Sequence, residues 1–211
     1  HLVHFVSKHD APARPRGLAL TALQVLNDPK LADAVRAASK DPDSSLRVSA
    51  TAMLGAFDAT QATEQLRTIF PTANLSDKKQ IISALGDLNA PNSDQALSDL
   101  LEDARAGRLP AEVQLELIQA AEKHPSPLVK ARLTAWQEGL NAADPLGRYA
   151  FALAGGDAVR GEKIFVEHAV AQCTRCHRVK GSGGEAGPEL TGIAKRTDRR
   201  YILESIVNPN A

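Results

Sequence analysis

The apolar residues of this chain recur with a fixed spacing over much of its length. Segment 16–26 aligns with 47–57 and with 78–88, an offset of 31 residues at each step (16 to 47 and 47 to 78). Each copy opens on a basic residue and carries a leucine at the same point, namely Leu23, Leu54 and Leu85. Because the apolar positions within each copy have helical spacing, the pattern predicts one amphipathic helix that recurs along the chain.

A second apolar stripe follows each of these segments at the same offset, carried by Val35, Leu66 and Leu97. Two stripes per unit predict a helix hairpin, and because neither helix can bury its apolar face alone, the hairpins must stack. A fourth copy appears when about five residues are inserted around 106–110. A two-helix unit of this length resembles HEAT-like repeats. We therefore expect residues 15–142 to form an α-solenoid of about four such hairpins.

The composition and the spacing of apolar residues change after the repeats. Glycines become frequent after Ala154-Gly155-Gly156, and the 31-residue offset is lost. The sequence predicts an all-α protein with a frayed N-terminal segment over 1–14, the repeats, a linker over 143–155 and a second domain over 156–211.

Composition and charge exclude some classes of partner. Lysine and arginine total 25, and so do aspartate and glutamate, so no overall field draws the chain to nucleic acid or to an anionic membrane. No apolar run approaches the roughly 20 residues that a membrane span needs. The chain opens His-Leu-Val without a methionine, which indicates a processed or excised piece.

Most of the histidines have simple structural interpretations. His1, His4 and His9 lie close together in the sequence, but their spacing suits no pair of metal ligands on one helix, so no metal site is expected there. His124 falls at the end of a predicted helix, where it is expected to act as a cap or as a cation near the C terminus of the helix.

Residues 173–177 read Cys-Thr-Arg-Cys-His. Two thiols three residues apart on a tight turn reach the two vinyl groups at one edge of a haem and form thioethers, and the next residue offers its imidazole to the iron. The motif predicts one covalent haem c, bound through Cys173 and Cys176 with His177 as the proximal iron ligand. Two other interpretations stay open: a redox dithiol, which usually occurs in a βαβ context, and half of a zinc site, which needs four ligands.

The segments on either side of this motif resemble those of class I cytochromes c. Upstream, 156–165 (GDAVRGEKIF) is similar to the opening helix of that family. Downstream, 187–190 (GPEL) is similar to the segment that covers the proximal side of the haem. The resemblance implies that the Pro188 carbonyl accepts a hydrogen bond from the second ring nitrogen of His177 and that Leu190 lies on the porphyrin.

The order of repeats and haem motif also resembles a haem-binding domain of large planctomycete and verrucomicrobial proteins. In that family, HEAT-like repeats commonly follow a dehydrogenase-like β-propeller. The resemblance implies an electron carrier that relays electrons from a dehydrogenase domain or a redox protein partner to a downstream acceptor. Since bacteria attach haem c outside the cytoplasm, we expect a periplasmic location. No residues resembling a catalytic site stand out in the sequence.

The sixth iron ligand cannot be assigned from the sequence. The only methionine, Met53, lies in the repeats, and the family places its distal ligand beyond Ala211, so the haem domain looks truncated. His168 is the one nearby candidate, although a surface histidine is the plainer interpretation. An open distal side would instead suit a haem peroxidase or a gas sensor, and the repeats alone would suit a scaffold for docking a partner.

The residues around the haem motif carry more positive than negative charge. These basic residues would form a positively charged rim around the haem, which is expected to steer an acidic redox partner or to pair with haem propionates. The basic residues are Arg175, Arg178, Lys180, Lys195, Arg196, Arg199 and Arg200. The stretch 197–207 predicts a short helix that begins near Asp198 and ends at Asn208-Pro209-Asn210.

Overall fold

The computed structural model describes residues 1–140 and 144–209. The chain divides into two compact units, one spanning His1–Gly139 and the other Leu140–Ala211. The protein is mostly helical, and the strands in the described residues are two short ones, so the predicted all-α class is confirmed. Within the described residues, no helix combines the length and apolar character that crossing a bilayer requires.

The first unit is built from helices of 5 to 15 residues joined by short connections. Their bounds are α1 Leu2–Val6, α2 Ala13–Val25, α3 Leu31–Ala38, α4 Ser44–Leu54, α5 Ala59–Ile69, α6 Leu75–Asp87, α7 Pro91–Arg105, α8 Gln114–Lys123 and α9 Pro127–Glu138. Short 3-10 turns at Phe70–Thr72 and Ala111–Val113 follow α5 and precede α8.

These helices contact one another in a regular order. The even-numbered helices pack in sequence, α4 on α2, α6 on α4 and α8 on α6. In the same way, α7 packs on α5 and α9 packs on α7. Each helix also contacts the next helix along the chain. The positions aligned by the 31-residue offset are all buried: Leu23, Leu54 and Leu85 are about 1 % exposed, and Val35, Leu66 and Leu97 are fully buried. The predicted core positions are therefore confirmed.

Side-chain caps fix where several of these helices begin. Asp43 accepts the N–H of Leu46 (3.0 Å) at the start of α4, and Asp58 accepts the N–H of Gln61 (2.8 Å) at the start of α5. Each cap satisfies a backbone donor that the first turn of a helix leaves unpaired. The hairpin boundaries thus follow from local sequence.

The N-terminal segment differs from the expected frayed end. Val6 of α1 is buried, and α1 packs on α2 and α3. The buried guanidinium of Arg16 donates to the Val6 carbonyl (2.8 Å) and pairs with the buried carboxylate of Asp41. His9 lies 3.3 Å from the same carboxylate. Main-chain and charged contacts therefore hold the N-terminal segment in place. In the part of the chain that the structure describes, no group of three or more potential ligands could hold a metal ion.

His124 lies at the C-terminal cap position of α8, as expected, and its side chain is fully buried. Its Nδ1 accepts the N–H of Ser126 (3.2 Å), so the ring proton is on Nε2, which donates to the Leu88 carbonyl (3.0 Å) 36 residues earlier. That separation matches the 31-residue offset of the sequence pattern plus the expected insertion of about five residues. The imidazole therefore joins the end of α8 to the end of α6.

Replacing His124 with leucine is expected to destabilise the first unit by about 1–3 kcal/mol, because the Ser126 N–H loses its acceptor in a buried site. Trp136, the single tryptophan, is buried in α9, so its fluorescence during urea unfolding reports on this unit alone. His4→Leu, at an exposed position, is the matched control. An equal loss in both variants would contradict the assigned role.

The second unit contains two α-helices, a small hairpin and short 3-10 segments. Its elements are a 3-10 helix Gly147–Leu153, α10 Ala158–Glu167, a 3-10 turn Cys173–Arg175, strands β1 Arg178–Val179 and β2 Ser182–Gly183, a 3-10 turn Ile193–Lys195, and α11 Arg199–Val207. The strands pair antiparallel through a two-residue turn, Lys180-Gly181, in which both residues have positive φ (51° and 80°). A turn of this kind matches the twist of a hairpin.

The predicted helix near the C terminus is confirmed. Asp198 caps α11 by accepting the N–H of Tyr201 (2.8 Å). The 3-10 helix inside the expected linker 143–155 contacts α11, and Arg199 donates to the Leu153 carbonyl (2.7 Å). Residue 143 and the predicted helix-stop residue Asn210 lie outside the described residues.

Candidate functional site

A tight turn presents the residues of the Cys-x-x-Cys-His motif. Gln172 enters it with a left-handed backbone (φ 44°), and the Cys173 carbonyl accepts the N–H of His177 (3.0 Å). Both cysteines are free thiols, Cys173 half-buried and Cys176 exposed. The turn therefore brings the thiols and the imidazole together on one short piece of backbone.

The loop that follows β2 packs directly on this turn. The Gly184 N–H donates to the Thr174 carbonyl (2.9 Å), and the Gly187 N–H donates to the Cys176 carbonyl (2.7 Å). Gly187 lies so close to His177 that a Cβ there would come within 2.6 Å of ring atom Cε1 and 2.8 Å of Nδ1. Only a residue without a side chain fits at this contact, so Gly187 fixes one side of the imidazole.

The second ring nitrogen of His177 is also held. Its Nδ1 lies 3.0 Å from the Pro188 carbonyl oxygen, which can only accept, so Nδ1 carries the proton and donates it. In the neutral ring the lone pair is then on Nε2, and this is the form of imidazole that binds a metal. The arrangement therefore presets the tautomer that iron ligation requires.

Leu190 is half-buried beside this site. Its N–H donates to the carbonyl of Arg178 (2.9 Å), the residue after His177. The five residues selected from the sequence thus belong to one turn and the loop packed on it. Cys173, Cys176 and His177 share the turn, while Pro188 and Leu190 join it through hydrogen bonds.

His168 forms hydrogen bonds with the turn that precedes the Cys-x-x-Cys-His motif. Its Nδ1 accepts the N–H groups of Ala171 (3.1 Å) and Val170 (3.3 Å) just after α10 ends. The side chain therefore stabilises the turn after α10, and His168 itself ends that helix, as expected from the sequence. Met53 lies in the first unit, within α4.

Several basic residues of the predicted rim hold the second unit together. Arg175 donates to Gln172 (2.7 Å), Arg196 donates to the Glu189 carbonyl (2.7 Å), and Arg200 pairs with Asp144 (3.1 Å). The backbone N–H of Leu146 and the Arg200 guanidinium hold the pKa of Asp144 below its usual range. Much of the positive charge is thus already engaged within the unit.

The residues present fit a covalently bound haem. The turn offers two free thiols and an imidazole whose Nδ1 is already held by the Pro188 carbonyl, which is the donor set of haem c. Arg178 pairs with Glu185, and its Nε is buried without a hydrogen-bond partner among the described residues, which leaves a donor suited to a propionate. Large apolar side chains are exposed and can contact a porphyrin: Val159, Ile164, Val166 and Val170 are 52–87 % exposed, and Leu146 is the only buried residue described in this unit.

The thiol–imidazole turn of the second unit and the loop packed on it provide the protein groups that a haem of the c type needs. Residues 158–211, about a quarter of the chain, match the family model of cytochrome c. The chain therefore carries a cytochrome c domain, which supports a covalently bound c-type haem and electron transfer through it. A search of curated proteins found no match, and neither did a search of solved structures.

Proposed function

We propose that this domain carries one haem c, bound by thioethers from Cys173 and Cys176 and by His177 as the proximal iron ligand, and that it relays single electrons. The observation that carries the proposal is the hydrogen bond from His177 Nδ1 to the Pro188 carbonyl (3.0 Å). A redox dithiol would not require an imidazole fixed in one tautomer beside its thiols. A zinc site would also use such an imidazole, but structural zinc needs four ligands, and among the described residues no group of three or more potential ligands could hold a metal ion.

The residues of the chain have separable roles in this proposal. The thiols of Cys173 and Cys176 anchor the group, His177 Nε2 binds the iron, and Pro188 orients the imidazole and increases its donor strength. Leu190, by resemblance to class I cytochromes c, lies against the porphyrin. The haem itself supplies the one-electron oxidation and reduction.

For the first unit we propose a HEAT-like solenoid over residues 15–142 that holds the haem domain near its partners. Polar contacts at about one repeat length support this stacking: Gln80 donates to Ser49 (2.8 Å), Arg67 pairs with Asp99 (3.0 Å), and Arg132 pairs with Glu102 (2.7 Å). Such contacts between neighbouring units are characteristic of repeat proteins.

The wider context follows from the resemblance to planctomycete and verrucomicrobial proteins. We propose that electrons arrive from a dehydrogenase domain or a redox protein partner and leave to a downstream acceptor. The site of haem c attachment in bacteria supports a periplasmic location. The balanced charge, with 25 basic and 25 acidic residues, gives no support to a nucleic-acid partner.

A pyridine haemochrome spectrum of the purified chain, expressed with the machinery for haem c attachment, tests the proposal. We expect the spectrum of a haem with two thioether links, at one haem per chain, that survives denaturing extraction. A metal-free chain that forms a reversible Cys173–Cys176 disulfide would support a dithiol, and bound zinc would support a metal site.

Carbon monoxide separates electron transfer from the other haem functions. Full-length protein that only transfers electrons has both axial positions filled and is expected to show no carbon monoxide difference spectrum. A strong difference spectrum would instead favour a peroxidase or a gas sensor.

A further inference from the structure

The loop that carries the Pro188 carbonyl is held by a polar cluster that the proposed function does not use. The Thr191 hydroxyl donates to the Glu189 carboxylate and accepts the N–H of Lys180 (2.6 Å). The same carboxylate also accepts the N–H of Thr191 (3.0 Å), and the Glu189 carbonyl accepts from Arg196 (2.7 Å). We call these contacts of Glu189 and Thr191 the 189–191 clasp.

The clasp acts on the peptide group that contacts His177. The Pro188 carbonyl belongs to the peptide that joins Pro188 to Glu189, so its direction follows the position of the Glu189 backbone. Glu189 is fixed through both its carboxylate and its carbonyl, and Lys180 ties Thr191 to the hairpin turn just after β1. A shift of Glu189 would therefore turn the carbonyl away from Nδ1.

The Glu189 carboxylate is suited to hold the loop that carries the Pro188 carbonyl. Hydrogen bonds from the Thr191 side chain and backbone, followed by the charges of Arg178 and Arg196, hold the pKa of Glu189 below its ordinary value. Glu189 is therefore ionised at neutral pH, and an ionised acceptor makes the stronger hydrogen bonds. The clasp is also outside the Cys-x-x-Cys-His turn and contains no iron-binding group.

We propose that Glu189 and Thr191 are positioning residues that aim the Pro188 carbonyl at His177 Nδ1 and so set the reduction potential of the haem. This inference rests on the proposed function, because it assigns to the clasp the tuning of that same site. A strong bond to Nδ1–H gives the imidazole anionic character, which makes Nε2 a better donor and stabilises the oxidised iron. Loosening the clasp weakens that bond, so the potential rises.

The test is a redox titration of the full chain with haem attached. Thr191→Val keeps the shape of the side chain, removes the hydroxyl and changes no charge. We expect at least a roughly threefold increase in the ratio of reduced to oxidised protein at a fixed potential, which is a rise of about 28 mV at 59 mV per tenfold. Thr191→Ser retains the hydroxyl and is expected to restore the wild-type potential.

A matched pair of variants separates positioning from charge. Glu189→Gln and Glu185→Gln each remove one carboxylate from the same loop, but Glu185 pairs with Arg178 and takes no part in the clasp. We expect the larger rise in Glu189→Gln. Equal shifts would mean that charge alone acts, which overturns the role of Glu189.

The outcomes distinguish this inference from the proposed function. Wild-type protein that attaches no haem in the pyridine haemochrome assay would overturn the proposed function, and this inference with it. Normal haem content with an unchanged potential in Thr191→Val would overturn the positioning role alone. Urea unfolding of each variant, followed by the Soret band, identifies a shift that comes from general loosening of the domain.

Discussion

Gly187→Ala is expected to displace His177 from the position in which its Nδ1 meets the Pro188 carbonyl. The added methyl would lie 2.6 Å from Cε1, 2.8 Å from Nδ1 and 3.1 Å from Nε2, so either the ring or the loop must move. Overpacking of this kind costs about 1–3 kcal/mol. That energy shifts the balance between held and displaced ring by a factor of roughly 5–150.

The displacement can be read from absorption spectra of the haem-loaded protein. If the haem is bound as proposed, its covalent attachment through Cys173 and Cys176 is expected to persist in this variant, so a denaturing gel still shows haem. The Soret and α bands of the native protein are expected to change because His177 no longer binds the iron. Gly139→Ala is the matched control, because a Cβ at Gly139 would have only ordinary contacts, the nearest at 3.4 Å. Native spectra identical to wild type in Gly187→Ala would contradict the close contact.

Asp41→Asn is expected to lower the free energy of unfolding of the first unit by about 3–5 kcal/mol, because it leaves the charge of Arg16 buried without its partner. The side chains of both residues are almost fully buried, at 4 % and 2 % exposed. Asp33→Asn is the control, since its ion pair with Arg36 is on the surface and contributes about 0.5 kcal/mol or less. Urea unfolding followed by Trp136 fluorescence measures both, and similar losses would refute the role of the buried pair.

The same pair gives the stability of the first unit a defined dependence on pH. Burial raises the pKa of Asp41, but the hydrogen bond from Arg16, the N–H of Asp43 and the charges of Arg16 and His9 outweigh burial and place that pKa below its ordinary value of 3.8. The ionised carboxylate therefore adds stability that is fully present above about pH 4 and is lost as the pH falls through the lowered pKa. Asp41→Asn is expected to flatten this acid limb of the unfolding free energy.

The sequence was sufficient for the parts of the molecule that depend on local spacing. The 31-residue offset identified buried positions such as Leu54 and Leu66, because a helix repeats its core-facing side chains at fixed intervals. The Cys-Thr-Arg-Cys-His motif placed both thiols and the imidazole on one turn, because adjacent residues on a tight turn cannot separate. The contact of Pro188 with His177 rested on resemblance, since those residues are 11 apart.

Side-chain contacts between residues far apart in the chain could not be predicted from the sequence. Arg16 and Asp41 are 25 residues apart, and His124 and Leu88 are 36 apart, so neither pairing follows from helical periodicity. A histidine at a helix end is usually on the surface, and the sequence does not show that His124 is buried and bonded to the Leu88 carbonyl. The 189–191 clasp depends on the path of a loop, and loop paths follow from tertiary contacts more than from local propensity.

The fixed position of the His177 imidazole has a consequence for the speed of electron exchange. Gly187 lies against the ring, the Pro188 carbonyl holds Nδ1, and the Cys173 carbonyl holds the backbone. Groups that are free to move must readjust whenever the charge beside them changes, and that readjustment adds to the activation barrier. A ligand held by these three contacts adds less to this reorganisation energy than a freely moving one, as preorganised groups do in enzymes. The geometry of the turn and loop thus favours rapid electron exchange even where donor and acceptor have similar potentials.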